Sequence, residues 1–375
     1  IALDSGFAPA YEHMADLAIR LGRPELARRF AAAYLSLYPD AGSTSHVGLA
    51  LLALDPVQSG AVDTARLVDS ASVSDLWRAA FDILAYFTDS AETPVRLLRR
   101  LGDAHRIAGG DAGWVNDSLM WPQYLADALA YRGHLREAYQ TNRRLLLDPG
   151  ASKWSRIMDP FLDLALLGVV SDSVAGPAFA RALERTAPWA SASGGTPRHL
   201  SGLPWWLARR DTASLMGFAA RAAEKTRQPN PPIVVLRARL LGATSTAYAA
   251  LARGDSTGAL AHLEAIPDTL CLVDFSSDCF HLNLTLARLL AARGDDRRAG
   301  ALLDRWRWSE VGFGASPWFV LATLERGRMA ERLGEREKAI ESYRLVMEAW
   351  RRADPELQPY VSEAREALAR LARTE

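Results

Sequence analysis

At 375 residues, 49% hydrophobic and 23% charged, the chain has apolar mass for one large core or two or three ordinary ones, which excludes a disordered segment and a small disulfide-stapled scaffold. Its 44 Lys and Arg balance 44 Asp and Glu, so the global basicity of a protein that coats nucleic acid or an anionic membrane is missing. The balance hides an asymmetry: residues 1–125 carry 10 basic and 15 acidic side chains, 126–250 carry 16 and 9, and 251–375 carry 18 and 20.

Reading from the N-terminus, Pro and Gly punctuate almost every stretch, and between them apolar residues recur at three and four, the spacing of helices. Ala18, Ala27, Phe30, Ala31 and Tyr34 fall on two such faces separated by Gly22-Arg23-Pro24, where a glycine can end one helix and a proline open the next. Further turn-like breaks fall at Asp55-Pro56, Thr88-Asp89-Ser90, Gly133, Val170-Ser171-Asp172 and Arg210-Asp211. The richest apolar run, Phe161 to Val170, contains Asp163 and is too short to cross a bilayer, so no membrane span is expected. Residues 186–204 are rich in Gly, Ser and Pro and read as an irregular connection. This divides the chain into hairpins over 1–185, that connection, and a continuing set of hairpins over 205–375.

Toward the C-terminus the sequence repeats itself. Gly254, Gly294 and Gly334 stand at intervals of 40, and Ala259, Ala299 and Ala339 each follow by five; Gly22/Ala27 and Gly133/Ala138 keep the same offset. Leu263, Leu303 and Tyr343 come four later, on the same helix face. A left-handed glycine between antiparallel helices, followed by a small residue that lets them approach, explains the pattern. It resembles the tetratricopeptide repeat family, best in Ala8 to Pro39 with Tyr11, Leu21-Gly22, Ala27 and Pro39. The resemblance implies an all-α solenoid of about nine antiparallel helical hairpins in a right-handed superhelix. Leu3-Asp4-Ser5 reads as the close of a preceding unit, so further repeats or another domain are expected before Ile1. The end of the chain, Ala349-Trp350-Arg-Arg-Ala-Asp-Pro-Glu-Leu-Gln-Pro and a terminal amphipathic helix, resembles the C-terminal repeat region of bacterial serine/threonine kinases and TolB-like regulators.

No phosphate-binding loop, nucleophile elbow, zinc-protease or kinase motif occurs, so no catalytic residue, cofactor or metal is expected. Cys271 and Cys279 are open to three readings: a disulfide in an elongated loop, which favours an extracytoplasmic compartment, inert buried thiols, or a metal or redox site. Among the tryptophans, Trp205-Trp206 and Trp306-Arg-Trp308 are expected to have an exposed member. The face built from the first helix of each hairpin commonly holds extended peptides in the resembled family. Counting back from each turn glycine puts Asp127, Tyr131, Tyr248, His281, Arg288, Arg328 and Arg332 on it. The arginines suit an acidic protein or peptide partner by bidentate pairing, against an intrahelical Arg328–Glu331 pair as the plain alternative. The resulting expectation is a non-catalytic interaction scaffold, the sensor or docking region of a larger signalling protein. The alternative is a solenoid that self-assembles end to end into oligomers or filaments.

Overall fold

The computed structural model describes residues 7–20, 24–37, 120–147, 161–185, 202–267, 278–305 and 317–373, with Val95 and Arg99. Every regular element among these is helical: α1 (Ala8–Arg20), α2 (Pro24–Leu37), α3 (Met120–Tyr131), α4 (Leu135–Leu147), α5 (Asp172–Arg185), α6 (Gly202–Ala208), α7 (Thr212–Arg227), α8 (Pro232–Ala252), α9 (Ser256–Glu264), α10 (Asp278–Ala292), α11 (Asp296–Arg305), α12 (Pro317–Arg332), α13 (Arg336–Ala349) and α14 (Gln358–Arg373). Residues 161–166 add a short helical stretch. The last three residues of the expected irregular connection are thus helical, belonging to α6; 186–201 lie outside the described residues, as do Gly22, Trp306 and Trp308. None of the described helices is long and apolar enough to cross a membrane.

The chain forms two compact units, Ile1–Arg132 with Val311–Ala315 and Gly133–Glu310 with Ser316–Glu375. In the first, α1 and α2 pack as a hairpin, with Ala18 against Ala27 and Ala15 against Ala31, under Leu26, Phe30 and Tyr34.

In the second unit one turn design recurs. Gly168, Gly254, Gly294 and Gly334 all have φ between 74° and 86°. After α8, Gly254 N–H donates to the Leu251 carbonyl and Asp255 N–H reaches back to Ala250 at 3.0 Å. The same two bonds follow α10 (Gly294 to Ala291, Asp295 to Leu290) and α12 (Gly334 to Glu331, Glu335 to Ala330). This is the paired closure that uses up the last orphan carbonyls of a helix and needs a left-handed residue to do so. The residue after the glycine then works a second time: the carboxylates of Asp255 and Asp295 accept the N–H of Gly258 and Arg298, capping the next helix. The α6–α7 turn keeps both bonds and its Asp211 cap on Ser214 but places Arg210 at φ 53° where the others have glycine.

Packing follows the small residues. Ala138, Ala259, Ala299 and Ala339 are all fully buried, and Leu263, Leu303 and Tyr343 are buried one turn further on. From α7 onward each helix packs on its chain neighbours: α7 on α8, α8 on α9, α9 on α10, then α10 through α14 in succession, with α10 also on α12 and α12 on α14. This is the nearest-neighbour stacking of helical-hairpin repeats that the tetratricopeptide resemblance implies. Among the described residues it is broken at two places in the unit. Asp163 reaches His281, and the turn at Gly133 meets the segment after α13.

Candidate functional site

α10 carries His281, and its surroundings are interior. The His281 ring lies edge-on to Trp318 of α12 at 5.4 Å and to Phe280 at 5.9 Å; its Nε2 stands 3.4 Å from Asp163 Oδ1. Its backbone carbonyl accepts two hydroxyls, Tyr248 Oη from α8 at 3.1 Å and Thr285 Oγ1 at 2.8 Å, which also touch each other at 3.0 Å. Burial pushes the Tyr248 phenol up to about 12, against the opposing pull of the Thr285 bond and the Arg288 charge. It stays protonated through the ordinary pH range and serves as a donor that fixes α8 on α10, not as a base.

Asp127 and Tyr131, on α3, are also buried, with the Arg132 guanidinium carbon 5.7 Å from the Tyr131 ring centre. Burial raises the Tyr131 phenol, and the charge of Arg132 partly offsets that. Counting back from the turn glycine therefore finds buried residues: Asp127, Tyr131, Tyr248 and His281 are inside, not on an open face. Trp205 and Trp206 depart from expectation in the same way, since both are buried. Trp206 lies between Phe179 at 5.2 Å and Phe218 at 5.7 Å, and the Arg209 guanidinium covers Trp205.

The three predicted arginines lie on α10 and α12, at the surface, and all are engaged by carboxylates from other helices. Arg288 Nε donates to Glu325 at 2.8 Å. Arg328 grips Glu363 of α14 through two nitrogens at 2.5 Å and Glu325 through a third at 2.9 Å; these bonds, led by Glu363, hold its guanidinium strongly protonated. Arg332 forms a two-pronged pair with Asp296 of α11 at 2.8 and 2.5 Å. Glu331 pairs with Arg370 and accepts the Tyr343 hydroxyl at 2.8 Å, so the intrahelical Arg328–Glu331 pair is replaced by contacts to α14. Burial and the Glu331 bond raise the Tyr343 phenol.

These links share a period. Arg298–Glu264, Lys338–Asp304, Arg328–Glu363, Arg332–Asp296, Arg288–Glu325 and Arg209–Asp172 join residues separated by 34, 34, 35, 36, 37 and 37 positions, a little less than the 40-residue repeat. The predicted cationic face is a ladder of polar staples between successive hairpins. Charge complementarity at a spacing of 34 to 37 positions was the sequence signal for its acidic half, Glu264, Asp296, Asp304, Glu325 and Glu363.

The ladder leaves unequal capacity for a ligand. Arg328 has all three nitrogens engaged, while Arg332 keeps one and Arg288 keeps both terminal nitrogens clear of the described residues; their side chains are 47% and 43% exposed. Of the cysteines, Cys279 is fully buried in the first turn of α10 and is not a free thiol; Cys271 lies outside the described residues. Among those residues no three His, Cys, Asp or Glu side chains gather as a metal ion requires.

No family model matches the chain, and no curated protein does. Among solved structures, the crystal structure of the APC/C hetero-tetramer Cut9–Hcn1 is 11% identical, with 98% of this chain and 84% of that chain covered and a TM-score of 0.34. A likeness of that size carries nothing about activity or partners, and the helical-repeat architecture stands on the turns and packing described above.

Proposed function

We propose that this chain is a non-catalytic scaffold whose stacked hairpins hold an acidic protein or peptide segment, as the docking or sensor region of a larger signalling protein. One observation carries the reading. On the surface of the α10–α12 stack, Arg288 is half-exposed, gives Nε to Glu325, and keeps both terminal nitrogens clear of the described residues, as Arg332 on α12 keeps one. A guanidinium already oriented by one carboxylate loses little rotamer freedom on taking a second, which suits it to the two oxygens of a ligand carboxylate.

The test is fluorescence anisotropy with labelled peptides rich in Asp and Glu. Saturable binding is expected, weakened about fivefold to tenfold by Arg288→Ala and unchanged by Arg253→Ala, an exposed arginine outside the ladder. Equal effects of both substitutions, or no saturation, would sink the reading.

Pairing of Cys279 with Cys271, the only other cysteine, belongs to the same proposal and places the chain in an oxidising compartment. Intact mass with and without reductant checks it: a difference of two hydrogens is expected. End-to-end assembly has no comparable support, because α14 turns Arg365, Glu366, Arg370 and Arg373 outward, the polar outer face of a helix that caps a stack.

A further inference from the structure

α4 begins without a cap of its own. Where Asp211, Asp255 and Asp295 precede α7, α9 and α11, the corresponding residue before α4 is His134, whose carbonyl accepts the first helical bond from Ala138 at 3.0 Å. The carboxylate comes from elsewhere. Asp354 Oδ2 accepts the Arg136 N–H at 2.8 Å across 218 positions, doing for α4 what Asp255 does for α9. The Asp354 N–H donates to the Gly133 carbonyl at 2.9 Å, and Arg136 Nε and Nη2 converge on Glu356 Oε1 at 3.2 and 2.8 Å.

The donor segment is shaped for this. Asp354 is extended, as a residue before proline must be, and the short 3-10 turn Pro355–Leu357 buries Leu357 while setting Asp354 and Glu356 against the α4 turn. The receiving turn is shaped too. A methyl group on Gly133 would lie 2.5 Å from the Ala353 methyl and 3.1 Å from Trp350 Cδ1, whereas one on Gly254, Gly294 or Gly334 would meet nothing within 4 Å.

We propose that Asp354-Pro355-Glu356 is a reversible latch, closing on Gly133–Arg136 and joining the first turn of the second unit to its last hairpin. Neighbour-to-neighbour stacking does not require such a contact. Its polar part is one cap and one ion pair, Arg136 being 62% and Glu356 22% exposed, and a pair open to solvent at its arginine end is weakened by salt while the apolar stack is not. The latch is independent of which partner the hairpins hold.

The Arg136 amide reports the latch directly, because a second-position helix N–H has no acceptor within its own helix. Its hydrogen exchange in the full chain is the measurement, with the Gly258 amide, capped locally by Asp255, as internal reference. Raising salt from about 0.05 to about 1 M is expected to speed Arg136 exchange about threefold to tenfold and leave Gly258 within about twofold. Glu356→Arg is expected to speed it similarly at low salt, and the exchanged pair Arg136→Glu with Glu356→Arg to restore protection at position 136. Exchange at Arg136 that ignores salt, or a swapped pair no better than Glu356→Arg alone, overturns the latch; the wild-type salt series decides the matter if Glu356→Arg fails to fold.

Discussion

The turns at Gly254 and Gly133 have the same φ sign and the same alanine five residues on, yet they are held by different means. At Gly254 everything is local: the glycine closes α8, Asp255 caps α9, and the space over the glycine is open. At Gly133 the glycine is pressed by Ala353 and Trp350, and the cap arrives from Asp354. A local turn can be read from four consecutive residues, whereas a shared one is specified by two segments that neither propensity nor periodicity connects.

The largest expected effect is at the foot of the shared turn. Trp350 is fully buried, in ring contact with Tyr360 at 6.0 Å, so Trp350→Ala should cost about 3–5 kcal/mol in urea unfolding; a loss under 1 kcal/mol would mean that this end is not packed as described. The next effect separates the two turns. Gly254→Ala bears only the left-handed backbone penalty, about 1–2 kcal/mol. Gly133→Ala bears that and the collision with Ala353, roughly 1–3 kcal/mol more. Equal losses would erase the distinction.

The third effect tests whether the distant cap is a substitute for a local one. His134→Asp gives α4 the residue its siblings have, and should add about 0.5–1 kcal/mol. It should also make Asp354→Ala, which costs about 1 kcal/mol in the parent, nearly silent. Strictly additive losses in that double-mutant cycle would show that the two carboxylates do not serve the same end of α4.

How far the sequence announced all this follows the same division. The hairpins were legible because a left-handed glycine and a notch alanine are demands of a single turn, and Ala27, Ala138, Ala259, Ala299 and Ala339 are all fully buried. Even Arg210, which breaks the glycine rule, falls where Arg210-Asp211 marks a turn. The site was less legible. Assigning a face by counting back from the glycine assumes first helices of equal length and packing, but α8, α10 and α12 have 21, 15 and 16 residues, and Asp163 arrives at His281 from outside the local stack. The arginines lie at the surface as counted, but their partners could not be counted the same way, because each pair closes across 34 to 37 positions, short of the 40 that separate the turn glycines. His134, a histidine where acids cap the sibling helices, was the sign that α4 looks elsewhere.

The smallest effect lies in the ladder and is seen through pH. Hydrogen bonds from Arg332 hold the Asp296 carboxyl below its ordinary value; at Asp304, burial pulls upward but Lys338 and Arg326 outweigh it, with the same net direction. Carboxyls lowered by folding contribute stability that is present above their unfolded pKa, about 4, and is lost as pH falls through the lower folded value. Unfolding should therefore need less urea at pH 3 than at pH 7. Arg332 is 47% exposed, so Arg332→Ala should cost only about 0.2–1 kcal/mol at pH 7, and less at pH 3, below the ordinary carboxyl value of about 4, where the unfolded chain already holds most of the proton and the pair contributes less. A substitution that costs the same at both pH values would show that Arg332 acts through the packing of its stem, not through the charge of Asp296.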